Sequence, residues 1–348
     1  MSEKVKYNTI VNFSVQLAAL IKANLPLVNA LSTLSKEMED KTFKRKLEEI
    51  KEDVSRGVDF GDAMSEHKNI FDNLYINMVK AGMKTGKLGN TLTQLSEYLT
   101  KVAETREKIK SALSYPIFML IFMLITTLIQ LMVVLPKFEG IFSSFGKELP
   151  GPTLLLINIS HFLRDYWYLI AAIVGSIIFA IISFLKTENG RYLWDEHKLK
   201  IPIVGPLMYK SSMAKMTRTL GVLTENEVPI LDAMELVVTS SDNVFIEDKL
   251  LTVKDGIERG KLISESFKDA EIFPDIIPQM LSSGEQSGTL PFLLLSCSNF
   301  YDNQVDETLK SIVSLVQPTI TVVMGLVIGG IMIAMFLPIF DMGSVMKH

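Results

Sequence analysis

The stretch FSVQLAALIKANLPLVNAL at residues 13–31 returns at residues 216–234 as MTRTLGVLTENEVPILDAM. Apolar residues recur in both copies at the same helical steps, and each copy carries a proline at the same place, Pro26 and Pro229. The offset of 203 positions between these prolines is far longer than a solenoid repeat, so it indicates a duplicated domain. The spacing of the apolar residues predicts amphipathic helices that bury one face.

The repeat continues well beyond this stretch. After the loss of one residue in the second copy, Gly82 and Gly86 match Gly284 and Gly288. Farther on, Pro116 and Pro136 match Pro318 and Pro338. Each copy is predicted to be an all-α bundle of short helices. Pro26 and Pro229 stand where a new helix begins, and the paired glycines mark a helix end, a turn and a new helix.

Three segments carry no charge, and they lie between Lys110 and Lys137, between Asp165 and Lys186, and between Lys310 and Asp341. Each supplies the roughly 20 apolar residues that a helix needs to cross about 30 Å of hydrocarbon. The alternative, a buried core helix, is disfavoured because such apolar runs rarely exceed about 14 residues. We therefore predict a membrane protein with three transmembrane helices.

Lysine and arginine set the expected orientation. They cluster before the first span and after the second, whereas the intervening loop has few. By the positive-inside rule the N-terminus is cytoplasmic and the C-terminus extracytoplasmic. The predicted order is cytoplasmic domain 1–110, span 111–136, extracytoplasmic loop 137–165, span 166–185, cytoplasmic domain 186–310, span 311–340 and extracytoplasmic tail 341–348. The middle span has no counterpart in the repeat, and it returns the second domain to the cytoplasm.

Catalytic motifs are not recognisable. The segment from Gly82 to Leu88 superficially resembles a phosphate loop, but it has three residues between its glycines instead of four and lacks Ser or Thr after Lys87. The four histidines are scattered, and none pairs with cysteine at metal-ligand spacing. We expect no catalytic, cofactor or metal site and no enzyme activity. The net acidic chain also lacks a strong basic patch for nucleic acid.

Three residues have two interpretations each. Glu285 precedes a helix expected to start near Thr289, where a carboxylate favours the positive helix end; the alternative is a contact with a partner. Gly325 and Gly329 form a GxxxG pattern, which indicates either close helix packing or a chance match. The spans contain no Asp, Glu, Lys, Arg or His, which argues against ion-coupled transport.

The two predicted domains differ in charge. Residues 1–110 contain 18 Lys and Arg against 15 Asp and Glu, a balance of +3. Residues 186–310 contain 13 against 20, a balance of −7. The difference predicts that the domains serve different partners, because like-charge contacts are unfavourable. The alternative is drift of solvated surface charge.

Together these features resemble the GspF/PilC family of inner-membrane proteins in type II secretion and type IV pilus assembly. The matching pieces run from Phe13 to Pro338 and include Ser114-Tyr115-Pro116, Val134-Leu135-Pro136, Gly284-Glu285 and Gln317-Pro318. Met83 and Lys84 depart from the family pattern, which leaves the role of a carboxylate in the first domain open.

The resemblance implies a platform in the bacterial inner membrane. Its expected partners are a cytoplasmic assembly ATPase, pilin or pseudopilin subunits, other inner-membrane assembly proteins, further copies of itself and membrane lipid. Two alternatives stay open, a membrane permease subunit and a scaffold without a motor partner. A permease would need a polar site near the middle of the membrane, and the spans do not supply an obvious one.

Overall fold

Helices form all the regular structure in the described part of the chain, residues 5–143 and 150–345 of the computed structural model. This confirms the predicted all-α class. The chain divides into two compact units. One unit combines Met1–Lys108 with Asp195–Glu307, and the other combines Ile109–Trp194 with Thr308–His348, so far as these residues are described. Both copies of the duplicated domain lie in the first unit.

The first helical domain contains α1 Tyr7–Lys22, α2 Leu27–Glu37, α3 Lys41–Ser55, α4 Phe60–Ser65, α5 Asn73–Lys84 and the first half of α6 Leu88–Ile129. Aspartates begin three of these helices. The side chains of Asp40, Asp59 and Asp72 each accept hydrogen bonds from backbone N–H groups in the first turn of α3, α4 and α5. Such caps satisfy donors that have no partner inside the helix.

Aromatic rings fill the core of the first domain. Phe13 and Phe43 meet edge to face with centroids 5.3 Å apart, and both rings lie near Phe71, which in turn packs against Tyr75. All four side chains are buried. The predicted apolar faces of α1 and α3 therefore point into one core, where edge-to-face pairs add to the stabilisation from burial.

The second helical domain follows as α11 Val204–Glu225, α12 Ile230–Thr239, α13 Val244–Glu258, α14 Ile263–Asp269, α15 Ile276–Ser287 and the first half of α16 Leu290–Val345. These helices match α1–α6 in order. Its core is more aliphatic, since Met216 and Ile246 replace Phe13 and Phe43 at the matching buried positions. A shared helical pattern thus tolerates different side chains at the centre of each bundle.

The other unit contains the apolar segments. It comprises the second half of α6, a π-helical turn Gln130–Val134, α7 Leu135–Ser143, α8 Gly151–Asp165, α9 Trp167–Leu185, most of α10 Glu188–Lys198 and the second half of α16. Three helices of the described residues are long and apolar enough to cross a membrane, in Leu88–Gly140, Trp167–Leu185 and Leu290–Pro338. The structure thus contains the three predicted spans.

Within this unit a small apolar cluster joins α8 to the ends of two spans. Its buried members are Leu131, Leu135, Ile157, Ile331 and Met335. Two hydroxyl groups of α8 reinforce the contact. Thr153 Oγ1 donates to the carbonyl oxygen of Ala334, and Ser160 Oγ donates to that of Leu131, each at 2.5 Å. The second bond reaches the π-helical turn, where the helix no longer keeps its ordinary bonding pattern.

The helix α9 differs from the other spans because none of its residues is buried by the protein. Such a face suits contact with lipid tails. The sequence-predicted domain limits at residues 110 and 310 fall inside the continuous helices α6 and α16. Where the hydrocarbon begins along these two helices therefore stays a prediction.

Candidate functional site: the contact between the two helical domains

The two helical domains meet through a row of polar side chains on α6 and α11. Asn226, at the C-terminal end of α11, is the centre of this row. Its Nδ2 donates to Gln94 Oε1 at 2.6 Å, and its Oδ1 accepts from Thr91 Oγ1 at 2.8 Å. Beside it, Lys87 Nζ lies 2.8 Å from Glu227 Oε1. These bonds fix the register of one domain against the other.

Farther along α6, Tyr98 and Thr219 form a buried hydroxyl pair. Their oxygen atoms are 3.1 Å apart, and Tyr98 is only 5% exposed. Burial raises the pKa of Tyr98 above its ordinary value, so the phenol stays protonated and available for the hydrogen bond. A satisfied polar pair in a dry contact favours one arrangement, because a shift would take this partner from the buried Tyr98 hydroxyl, whereas Thr219 Oγ1 also donates to the carbonyl oxygen of Lys215 at 2.8 Å.

Charged pairs flank the same contact. Lys108 Nζ lies 2.7 Å from Asp306 Oδ2, which joins α6 to α16. Inside the second domain, Arg218 forms an ion pair with Asp302. Burial raises the pKa of the Asp302 carboxyl, and the neighbouring Arg218 guanidinium acts in the opposite direction. The first half of α6 therefore contacts both α11 and α16 of the second domain.

A cleft of about 760 Å³ opens between the domains next to this row. Its walls include Lys84 and Thr85 from the end of α5 and the turn from Asn226 to Pro229. Of its charged groups, Asp62 is paired with Lys80 at 2.7 Å and Glu235 with Lys254. The structure thus brings the first glycine segment and the Pro229 turn together at one interdomain cleft.

The glycines of the predicted turns have two different roles. Gly86 and Gly288 adopt left-handed backbone conformations, with φ of +68° and +71°, which glycine adopts without steric cost. Gly82 and Gly284 lie inside α5 and α15 instead. A Cβ on Gly82 would lie 2.8 Å from Thr91 Oγ1, and one on Gly284 would lie 2.8 Å from Leu290 Cα. These two glycines allow close approach of the next helix.

The prolines occupy matching places in the two domains. Pro26 directly precedes α2, and Pro229 directly precedes α12. The turn before each proline contains a left-handed residue, Asn24 with φ of +60° and Glu227 with φ of +61°. Pro229 borders the interdomain cleft, whereas Pro26 belongs to the equivalent turn of the first domain.

Glu285 lies within α15 and caps a different helix from the one expected. Its carboxylate accepts from the backbone N–H of Ile263 at 2.6 Å, from the N–H of Ser264 at 3.2 Å and from Ser264 Oγ at 2.6 Å. These groups begin α14, whose N-cap residue Leu262 supplies no side-chain bond. In the first domain the residue that matches Leu262 is Asp59, which caps α4 with its own side chain. A contact of Glu285 with a partner remains a prediction.

Gly325 and Gly329 lie on an open side of α16. Among the described residues, no heavy atom other than neighbouring helix backbone comes within 4 Å of a Cβ built at either position. The predicted close packing at this GxxxG pattern therefore has no counterpart within the described chain, and packing against another helix stays a prediction.

The part of the chain that the structure describes contains no group of three or more His, Cys, Asp or Glu side chains placed to hold a metal ion. Cys297 is buried in the second domain. Burial raises the pKa of the Cys297 thiol to about 11. A protonated thiol is a poor nucleophile and a poor metal ligand at neutral pH.

Sequence reasoning did not identify the interdomain row. Its residues are ordinary surface types, and helical spacing alone does not separate them from solvated positions. A usable signal lies in the differences between the copies. Asn226 replaces Ala23, and Thr91 and Tyr98 correspond to Leu293 and Phe300. Positions at which one copy alone carries a hydrogen-bonding group mark where the two domains have different surroundings.

Comparisons with known proteins agree with this architecture. The family model described as type II secretion system (T2SS), protein F matches twice, at residues 13–136 and 216–338. The chain is 36% identical to the type IV pilus assembly protein PilC of Myxococcus xanthus over 99% of this chain and 82% of the relative. It is 32% identical to PilC of Pseudomonas aeruginosa over 99% of this chain and 92% of the relative.

A secretion protein is similar as well. The type II secretion system protein F of Vibrio cholerae is 28% identical over 96% of this chain and 82% of its own length. The double family match coincides with the two helical domains and the spans that follow them. The duplicated domains, the three spans and the near-complete coverage of pilus and secretion relatives together establish that the chain belongs to the family of type II secretion system protein F.

Proposed function

We propose that this protein is the inner-membrane platform of a type IV pilus machine, where it couples a cytoplasmic assembly ATPase to the insertion or extraction of pilin subunits. The observation that carries this proposal is the similarity to PilC proteins over almost the whole chain. The pilus relatives named above are more similar than the secretion relative, at 36% and 32% against 28%, which favours the pilus branch.

The interdomain contact supports a mechanical role. A protein that transmits motion needs a body that does not deform where the force enters. The buried Tyr98–Thr219 pair and the Asn226 bonds join the two helical domains in one compact unit. Both α6 and α16 begin in this unit and continue as helices into the spans. A displacement of the helical domains therefore has two continuous helical routes toward the membrane.

Loss of function in the native organism tests the proposal. Deletion of the gene should abolish surface pili while pilin still accumulates in the membrane, and a plasmid copy should restore them. A tagged copy should also co-purify with an assembly ATPase. Normal piliation after the deletion would contradict the proposal.

We infer that both helical domains face the cytoplasm and that the α7–α8 region lies outside, since lysine and arginine flank the spans asymmetrically. Exposed positions suit a labelling test, so we choose Asn69→Cys, Gly151→Cys and Lys268→Cys in a Cys297→Ala background. Only Gly151→Cys should react with an impermeant reagent in intact spheroplasts. Labelling of Lys268→Cys there would overturn the orientation.

We further propose that the protein has no catalytic activity of its own. The segment from Gly82 to Leu88 forms a helix end and a turn between α5 and α6, whereas a phosphate loop joins a strand to a helix. Purified protein should neither bind nor hydrolyse ATP. Stoichiometric nucleotide binding by the isolated chain would refute this.

The two domains are proposed to contact different partners, because their charge balances are +3 and −7. Charge reversal tests which domain meets the ATPase. Lys41→Glu with Lys44→Glu alters α3, and Asp248→Lys with Asp255→Lys alters α13. One pair should weaken ATPase binding to the full chain at low salt, and the loss should shrink at high salt. Equal effects of both pairs would leave the domains interchangeable.

Further copies of the chain are proposed to complete the platform.

A further inference from the structure

The contact between the helical domains uses each domain differently. The first domain contributes α6, and the second domain contributes α11. Because the two domains are copies, the face that one domain uses in this contact has a counterpart on the other domain. Neither counterpart takes part in the contact between α6 and α11. The second domain carries the counterpart of the α6 face on the first half of α16, and the first domain carries the counterpart of the α11 face on α1.

The residues of these counterparts follow from the repeat. On α16 they are Leu293, Ser296 and Phe300, which match Thr91, Gln94 and Tyr98. In and just after α1 they are Gln16, Ala23 and Asn24, which match Thr219, Asn226 and Glu227.

Exposure separates the used faces from the unused ones. Tyr98 is 5% exposed and Thr219 is fully buried in the interdomain contact. Their counterparts differ, since Phe300 is 42% exposed and Gln16 is exposed. Phe292, one turn before Ser296, is 69% exposed, and Val15 on α1 is 44% exposed. Phe300 is thus a large apolar side chain left in water at a position that is covered in the other copy, and Phe292 adds exposed apolar surface beside it, which indicates a docking surface.

The two unused faces also suit each other. The α16 face presents the large side chains Phe292 and Phe300, whereas the α1 face presents the small side chains Ala19 and Ala23 between exposed polar neighbours. Large residues on one helix fit beside small residues on the other when helices pack. The domains that bear these faces have charge balances of −7 and +3, so their approach is electrostatically favourable.

We propose that the first half of α16 in one copy packs against α1 in a second copy, repeating between chains the contact that α6 makes with α11 within a chain. This inference rests on the self-association proposed above and adds the surface that carries it. The contact is heterologous, since two different faces meet. Each copy offers both faces, so a further copy can add at either face.

Cysteine cross-linking of the full chain in membranes tests the proposal in a Cys297→Ala background. Gln16→Cys is placed in one tagged copy and Phe300→Cys in a second copy with a different tag. These positions correspond to the Thr219–Tyr98 pair. Because the Tyr98–Thr219 contact runs through the full length of the tyrosine ring, a short bismaleimide is used instead of direct disulfide formation. The bismaleimide should join the two tags several-fold more than it joins Gln16→Cys to Lys268→Cys, an exposed position on α14. Tyr98→Cys with Thr219→Cys in one chain is the positive control and should be bridged by the same reagent within the chain.

A blocking variant tests the specificity of the contact. Ala19→Arg should abolish the cross-link between copies while the control bridge within the chain still forms, which shows that the domains remain folded. Gln16→Cys pairing with itself as efficiently as with Phe300→Cys would overturn the heterologous contact. If the copies still purify as a multimer but do not cross-link, self-association uses another surface and the proposed contact of α16 with α1 is wrong. A monomer in membranes would overturn both this contact and the proposed self-association.

Discussion

At the scale of single residues, Glu285 caps the start of α14, because the N-cap residue of that helix, Leu262, has no hydrogen-bonding side chain. Its carboxylate bonds the first N–H groups of α14, where Leu262 cannot. We expect Glu285→Ala to destabilise the protein by about 1–2 kcal/mol, the usual cost of losing a helix cap. The unfolding midpoint of the purified chain in detergent measures this.

The first domain supplies the matched control. Its α4 is capped by Asp59, and Met83 takes the position of Glu285. Leu262→Asp should therefore restore most of the stability lost in Glu285→Ala, since Leu262 is 55% exposed and contributes little to the core. Met83→Ala should not disturb the start of α4. If Leu262→Asp fails to rescue, Glu285 stabilises the domain by another route, and its contact with a partner gains weight.

At the scale of helices, the junction of α5 and α6 depends on two glycines for different reasons. Gly86 needs its positive φ, and there is open space around it. Gly86→Ala should therefore cost about 1 kcal/mol, and Gly86→Asn less, because asparagine tolerates the left-handed conformation. The midpoint of thermal unfolding gives the comparison.

Gly82 provides the contrasting case. A Cβ there would collide with Thr91, which also bonds Asn226 across the interdomain contact. Gly82→Ala should lower the midpoint more than Gly86→Ala, and Gly82→Asn should lower it further instead of recovering. Equal effects of the two alanine variants would mean that α6 shifts freely away from α5, against the close packing that the structure describes.

At the scale of the whole molecule, the two helical domains should unfold cooperatively because they share buried polar bonds. Asn226→Ala removes the partner of both Thr91 and Gln94 and should cost about 1–3 kcal/mol, since it leaves the buried Thr91 hydroxyl unsatisfied. Combined with Gln94→Ala, it should show a coupling energy above about 0.5 kcal/mol, as contacting residues do.

A distant pair provides the control for this double-mutant cycle. Asn226→Ala and Asn69→Ala should be additive, because Asn69 is an exposed residue outside the interdomain row. Hydrogen exchange should also rise in α6 around Thr91 and Tyr98 in the Asn226→Ala protein. Additivity between Asn226 and Gln94 would mean that their hydrogen bond does not hold the domains together.

The sequence by itself determined the helical class, the duplication and the three apolar segments. It also located the turns, because Gly86 and Gly288 follow from backbone preferences that act within a few residues. Such features depend on the local spacing of apolar residues and on the length of a charge-free segment, and both can be read directly from the sequence. Glu285 marks the limit of this reasoning, since its nearness to the next helix suggested the wrong helix end to cap.

Only the tertiary structure decided which of two equivalent faces each domain uses. Tyr98 pairs with Thr219 and Thr91 with Asn226, across more than 120 residues of chain. The matching residues Phe300 and Gln16 have the same helical positions but remain exposed. Helical periodicity is identical in the two copies, so it cannot distinguish them. The choice depends on long-range packing and on which polar groups find partners once the bundles meet.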